Sequence, residues 1–255
     1  MLPFFNVFGR QFSTYGLMMV LALFLVCFLF VMMGKKRGVT ANDVCIIGAF
    51  ALLFALAGAS ILYALVTYSL AEIWQFIITG NTAPLRGLVY YGGFIGGFFG
   101  AIIGIKVAKV SLIEVERTVV PLLPLGHAIG RIGCVLSGCC IGMQYDGPFA
   151  IYYPFIADGH GRFPVQILEA VVNVGLCFIL LQFSKHKRSP FVVISLYCVL
   201  YGISRFLLEL LRGDSIRGIA YGLSTSQWIS IALITLGVCY LIIRNMYDKK
   251  KHLLH

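Results

Sequence analysis

Seven apolar runs divide this chain, each long enough to cross the hydrocarbon core of a bilayer. They cover residues 13–34, 44–67, 88–105, 119–136, 165–183, 191–211 and 227–243. A core of about 30 Å takes roughly 20 helical residues. Backbone in that medium must satisfy its own hydrogen bonds, which leaves helices or closed barrels as spanning structures. Runs of this length predict an all-α integral membrane protein with seven transmembrane helices, forming one polytopic domain over residues 1–255. The composition agrees, with 60% hydrophobic and only 12% charged residues. The first run is too long for a signal-peptide core, has Arg10 as its only early charge and lacks a small-residue cleavage site, so it is expected to stay as span one. The fourth and seventh runs are short. The fourth carries Pro121, Pro124, Gly126, Gly130 and Gly133, which point to a broken or re-entrant helix. The segment LAEIWQFIIT, 70–79, is too short to cross and reads either as an outer interfacial helix or as a plain loop.

Orientation follows from the 20 Lys and Arg. Thirteen fall on one side: Lys35, Lys36 and Arg37; Lys106, Lys109 and Arg117; Lys185, Lys187 and Arg188; Arg244, Lys249, Lys250 and Lys251. The other side holds five: Arg10, Arg86, Arg162, Arg212 and Arg217. The positive-inside rule then predicts an external N-terminus and a cytoplasmic C-terminus. The net charge of +10 is thereby explained as membrane-flanking charge facing the lipid bilayer, and no nucleic-acid partner is expected.

The remaining two cations, Arg131 and Arg205, lie inside spans. An ion there costs several kcal/mol unless it is paired or serves a ligand. His127, Arg131 and Cys134 recur at i, i+4 and i+7, and Tyr201, Arg205, Glu209 and Arg212 share a face of span six. Arg205 and Glu209 are therefore expected to pair, a pairing that could serve only to neutralise two buried charges. Arg131 has no partner in its own span, and Glu169, one turn after Gln166 in FPVQILEA, is a candidate counter-ion from span five. His127 reads either as a packing histidine or as a general base kept neutral by the neighbouring cation.

Span three, YYGGFIGGFFGAIIG, spaces Gly92, Gly96, Gly100 and Gly104 four residues apart, with Gly93 and Gly97 beside them. Such a stripe predicts close helix packing, and is compatible with a ligand approaching the backbone near Tyr90 and Tyr91. Of eight cysteines, Cys27, Cys45, Cys177, Cys198 and Cys239 are scattered in spans as small hydrophobes. Cys134, Cys139 and Cys140 cluster in GCVLSGCCIG; packing or a disulfide, lining of an active site, and a metal site are the readings for this C-x4-C-C group. It supplies at most three soft ligands with no obvious fourth, so no metal and no cofactor are expected.

These strings also carry a family resemblance. TYGLMM (14–19), YGGFIGG (91–97), GRIGCVLSGCCIG (130–142), FPVQILE (163–169), YGISRFLLELLR (201–212) and LSTSQWISI (223–231), in this order, resemble the motifs of bacterial prolipoprotein diacylglyceryl transferases. The resemblance implies an enzyme of the bacterial cytoplasmic membrane whose partners are phosphatidylglycerol and the signal peptides of prolipoproteins. It would move the diacylglyceryl group of the phospholipid onto the lipobox cysteine and release glycerol phosphate. On matching positions, it implies that Arg131 and Arg205 are essential, with Tyr15, Tyr201, Glu209, Gly142, Gly92 and Gly93 around the phospholipid.

The chain departs from that pattern in places. Tyr91 stands where the family usually has histidine, Cys134 replaces an asparagine, Cys139 a glutamate, and Phe163 precedes Pro164 where the family has His-Pro. A phenol titrating near 10 is poorly matched to removing a thiol proton at neutral pH. Either His127 takes over, or the arginines carry catalysis by stabilising the phosphate leaving group. The competing expectations are a diverged phospholipid-dependent transferase with another acceptor, with transfer onto or through the Cys134, Cys139 and Cys140 cluster, and a non-enzymatic lipid-binding or transport protein. A transporter would more often show internal repeats, and none is seen between the two halves.

Overall fold

The computed structural model describes residues 3–7, 9–80, 82, 87, 89–156, 158–186, 191–213 and 218–253. Arg86, Lys187, Arg188 and Arg217, counted above among the flanking cations, lie outside the described residues.

In chain order, strands β1 (Phe4–Val7) and β2 (Arg10–Ser13) form an antiparallel hairpin with Phe4 opposite Ser13, leading into α1 (Thr14–Gly34). Helices α2 (Ala41–Thr67), α3 (Leu70–Thr79) and α4 (Tyr90–Ala108) follow. Next come α5 (Leu112–Val119), a 3-10 turn at Val120–Leu122, and α6 (Leu123–Ser137). The chain closes with α7 (Val165–Phe183), α8 (Val192–Glu209), the short strands β3 (Ile219–Ala220) and β4 (Leu223–Ser224), and α9 (Thr225–Leu253).

Among the described residues, seven helical segments are long and apolar enough to cross a membrane: Thr14–Arg37, Ala41–Thr67, Tyr91–Ala108, Leu112–Ser137, Val165–Phe183, Val192–Glu209 and Thr225–Tyr247. The all-α, seven-span expectation therefore holds. The fourth span differs from its prediction in length. It runs 26 residues and is interrupted only by the 3-10 turn. Pro121 and Pro124 occupy the first turns of the two helical pieces. The missing N–H groups fall at the 3-10 turn, so the loss of regular α-helical bonding is confined to that interruption. LAEIWQFIIT is helix α3, started by a capping box in which Ser69 and Glu72 satisfy each other's backbone N–H.

The Cα arrangement divides into two compact units, Val31–Val115 and Met1–Phe30 with Glu116–His255. In the first, α2 packs along α4. A methyl built on Gly92 would come 2.2 Å from Gly58 O, on Gly96 2.1 Å from Phe54 O, and on Gly100 2.4 Å from Phe50 O. These glycines let two backbones touch, as the stripe predicts, whereas Gly93 would make an ordinary 3.5 Å contact.

The second unit holds α6 to α9, with α6 on α7, α7 on α8 and α8 on α9. Two neighbours in α5 tie down its α7–α8 connection. Glu116 accepts from Phe191 N (2.7 Å) and Ile194 N (3.0 Å) at the start of α8. Arg117 donates to Ser184 O (3.1 Å) and Lys185 O (3.0 Å) at the end of α7. An anion at a helix N-terminus and a cation at a C-terminus both match the helix dipoles. Arg117, one of the flanking cations named above, is thus a buried capping residue.

Candidate active site

Three helices of the second unit carry ionisable residues near one common end. Arg131 lies six residues before the end of α6, Glu169 four after the start of α7, and Arg205 four before the end of α8. At 1.5 Å per residue each sits within about 10 Å of its helix terminus.

Glu169 joins them. Its Oε1 is 2.9 Å from Arg131 Nη2 and its Oε2 is 3.6 Å from Arg205 Nη1. The candidate counter-ion from span five is therefore in place, and it serves both arginines. Arg205 Nη2 also reaches Glu209 Oε2 at 2.7 Å, the pairing expected from their spacing, and donates to Ser226 Oγ at 3.2 Å. On α6, Arg131 Nε donates to His127 Nε2 at 3.2 Å. Two guanidiniums and two carboxylates make the group neutral when His127 is neutral, which is how so many charges are tolerated inside apolar helices.

Pairing does not exhaust the donors. Glu169 and Arg205 are 2% and 8% exposed, yet Arg205 Nη1 makes no hydrogen bond, its contact to Glu169 being ionic only. A buried guanidinium edge without an acceptor is an unusual expense, and it suits an anionic ligand with several oxygens. His127 offers less. Its Nε2 lone pair already faces the Arg131 N–H, so the neutral ring carries its proton on Nδ1 and has no unused lone pair.

The Tyr201 ring lies 5.5 Å from that of His127, centroid to centroid. Tyr15, in the first turn of α1, rests its ring against Gly133, where a methyl would come 3.3 Å from its Cδ2. Gly142 is held by backbone on two sides. Residues 141–143 pair with 211–213 through Met143 N to Leu211 O (2.9 Å) and Gly213 N to Ile141 O (3.0 Å), while Phe163 N donates to Met143 O (3.0 Å). A methyl on Gly142 would fall 2.1 Å from Phe163 O. Tyr91, Gly92 and Gly93 lie on α4, in the other unit.

Beyond α6 the chain reverses through left-handed residues at Gly138 (φ 72°) and Cys140 (φ 58°). This brings the sulfurs of Cys134, Cys139 and Cys140 within 4.8 Å of one another. No disulfide joins them. The Cys140 thiol is drawn well below its ordinary value by hydrogen bonds from Cys134 and Cys139, with Arg131 and Arg212 adding to the effect. Gln166, 1% exposed, fixes the turn by donating to Cys139 O and to the Tyr153 hydroxyl, both at 2.9 Å.

Sequence reasoning missed Ser226 as a partner of Arg205. Its signal was the S-x-x-Q pattern of Ser224 and Gln227, a reciprocal cap that starts α9 and positions its first turn. An open apolar groove also went unnoticed; it runs between α6 and α7 and is lined by residues including Leu125, Ala128, Ile132, Ile167, Ala170 and Val174.

A family model described as prolipoprotein diacylglyceryl transferase matches residues 3–243. The chain is similar to the phosphatidylglycerol–prolipoprotein diacylglyceryl transferase 2 of Clostridium perfringens, with 29% identity covering 96% of each chain. It is also similar to the phosphatidylglycerol–prolipoprotein diacylglyceryl transferases of Clostridium tetani, 32% identical over 92% of this chain and 94% of the relative, and of Clostridioides difficile, 30% identical over 97% and 95%.

Proposed function

The chain belongs to the prolipoprotein diacylglyceryl transferase family, and from that premise we propose that Arg131 and Arg205 bind the phosphate of phosphatidylglycerol while its diacylglyceryl group moves to a prolipoprotein cysteine. The protein is a multi-pass membrane transferase acting in lipoprotein maturation. Its acceptor would be the lipobox cysteine of the signal peptide, and its location the bacterial cytoplasmic membrane with the C-terminus inside. In that orientation Arg131, Glu169 and Arg205 lie toward the outer leaflet.

The observation that carries this reading is the shared carboxylate of Glu169 between two arginines, one of which keeps a buried, unaccepted Nη1. A phosphodiester offers the missing acceptors, and the two guanidiniums can follow its charge as it becomes a leaving group. The sulfur attacks the glycerol carbon bearing the phosphate ester. The C–O bond breaks, a C–S bond forms, and glycerol phosphate departs. The apolar groove between α6 and α7, beside the face that carries His127 and Arg131, suits an acyl chain. His127 serves to orient Arg131 rather than to take the thiol proton, because its Nε2 lone pair is already engaged.

The test is mass spectrometry of a lipobox peptide incubated with phosphatidylglycerol vesicles and purified protein. A diacylglyceryl gain with release of glycerol phosphate is expected from the wild type and is lost in Arg131→Ala and Arg205→Ala. A folded wild-type protein that binds the lipid and yields no such gain refutes the reading.

A further inference from the structure

We propose that Cys134, Cys139 and Cys140 form a three-thiolate zinc site whose open fourth position takes the acceptor cysteine and holds it as a thiolate for attack. The inference rests on the diacylglyceryl-transfer reading above and supplies the step that reading leaves open, the activation of the incoming sulfur.

Every acid or base of the arginine cluster is engaged. Glu169 and Glu209 are ion-paired, and the His127 Nε2 lone pair receives the Arg131 N–H. The thiol group lies beside that cluster, since Cys134 is one turn after Arg131 on the same face of α6. Arg212 pairs with Gly142, two residues from Cys140.

The geometry favours a metal over a disulfide. A disulfide would join two sulfurs and leave the third idle, whereas all three converge here within 4.8 Å. Tetrahedral zinc, with Zn–S near 2.3 Å, separates its sulfurs by about 3.8 Å, so closure on the ion needs shifts of only about 1 Å. The scaffold is held on both sides, by Gln166 on the Cys139 carbonyl and by the pairing of residues 141–143 with 211–213. Cys140 keeps a left-handed backbone, a strain of roughly 1 kcal/mol or more for a residue with a side chain. Three thiolates on a divalent ion carry one net negative charge, and Arg212, paired with Gly142 two residues from Cys140, is the cation there that lies outside the neutral arginine cluster. Cys134 is buried, Cys140 intermediate and Cys139 exposed, so the site is closed inward and open outward.

Among the described residues no fourth ligand joins the three, and an open position is what distinguishes a reactive zinc site from a purely structural one. A thiol binding there is deprotonated by the metal. Its proton passes to solvent, its sulfur lone pair forms the C–S bond, and the C–O electrons leave with glycerol phosphate. The thioether product is neutral and a weaker ligand than a thiolate, so it dissociates and reopens the site.

The experiment has two readouts on the full-length protein in detergent. Elemental analysis should find one zinc per chain, retained in Cys239→Ser and lost in Cys139→Ser and Cys140→Ser. The cobalt-substituted wild type should show sulfur-to-cobalt charge-transfer bands that change when a lipobox peptide is added and stay unchanged with its Cys→Ser version. This second readout needs no variant to fold. Transferase activity should fall at least tenfold on chelation and return with zinc. Substoichiometric zinc in a protein that transfers diacylglyceryl overturns this proposal and leaves the family reaction standing, as does a cobalt spectrum blind to the peptide thiol. Zinc and thiol binding with no transfer to any lipobox peptide overturns the diacylglyceryl-transfer reading instead.

Discussion

Glu169 Oε1 lies 2.9 Å from Arg131 Nη2, across the interface between α7 and α6, and the same carboxylate turns its other oxygen toward Arg205. One buried anion thereby fixes two cations that come from different helices.

Replacing Glu169 with glutamine keeps the volume and removes the charge, leaving Arg131 and Arg205 facing each other in an apolar setting. Breaking a buried pair from one side costs about 3–5 kcal/mol. Glu169→Gln is expected to lower the thermal unfolding midpoint by several degrees, read by fluorescence in detergent, and to abolish most transfer. An unchanged midpoint would show that the carboxylate does not hold the arginines.

Arg131→Lys preserves charge but not the fork. Arg131 uses Nε on His127 and Nη2 on Glu169, two directions that a single ammonium cannot reproduce. Turnover should drop by roughly 10²–10³, the range for losing one transition-state donor. Lipid binding by equilibrium dialysis should weaken far less. Equal losses in both would mean that Arg131 only binds.

The glycine contacts separate two neighbouring positions. Gly96→Ala places a methyl 2.1 Å from Phe54 O and Gly93→Ala only 3.5 Å from Ala55 O. Overpacking of the first kind costs about 1–3 kcal/mol or more. Thermal unfolding should therefore distinguish a destabilised Gly96→Ala from a near-neutral Gly93→Ala.

The 144–162 loop has an acid limit. Asp146 is held below its ordinary value by the hydrogen bond from His160 (2.9 Å) and by Gly161 N (2.6 Å), and Asp158 by the His160 backbone N–H, with a contribution from Gln144. Because both folded values are depressed, the stabilisation is complete above the ordinary aspartate range and disappears as pH falls through the lowered values. Protease cleavage in this loop should be slow at pH 7 and accelerate only in strong acid. Asp146→Ala should make the loop cleavable at pH 7.

The spans were legible because membrane helices answer to a local rule. About twenty apolar residues are needed wherever they occur, and residues 165–183 match α7 to the residue. The fourth span is longer than its apolar run because helix α5 continues it through the charged residues Glu114, Glu116 and Arg117, which an apolar count excludes, while the expected break is confined to the 3-10 turn around Pro121. The Arg205–Glu209 pair was legible for the same local reason, one helical turn along a single face.

Sequence alone therefore determined where the seven apolar spans lie, that two arginines sit inside them, and that a thiol cluster closes the fourth. Tertiary structure decided the rest. The bridge from Glu169 to both arginines depends on how α7 is rotated between α6 and α8, which side-chain packing sets. The convergence of three cysteines depends on left-handed turns at Gly138 and Cys140. Periodicity constrains the face a residue occupies on its own helix, whereas the facing partner is chosen by the packing of helices far apart in the chain.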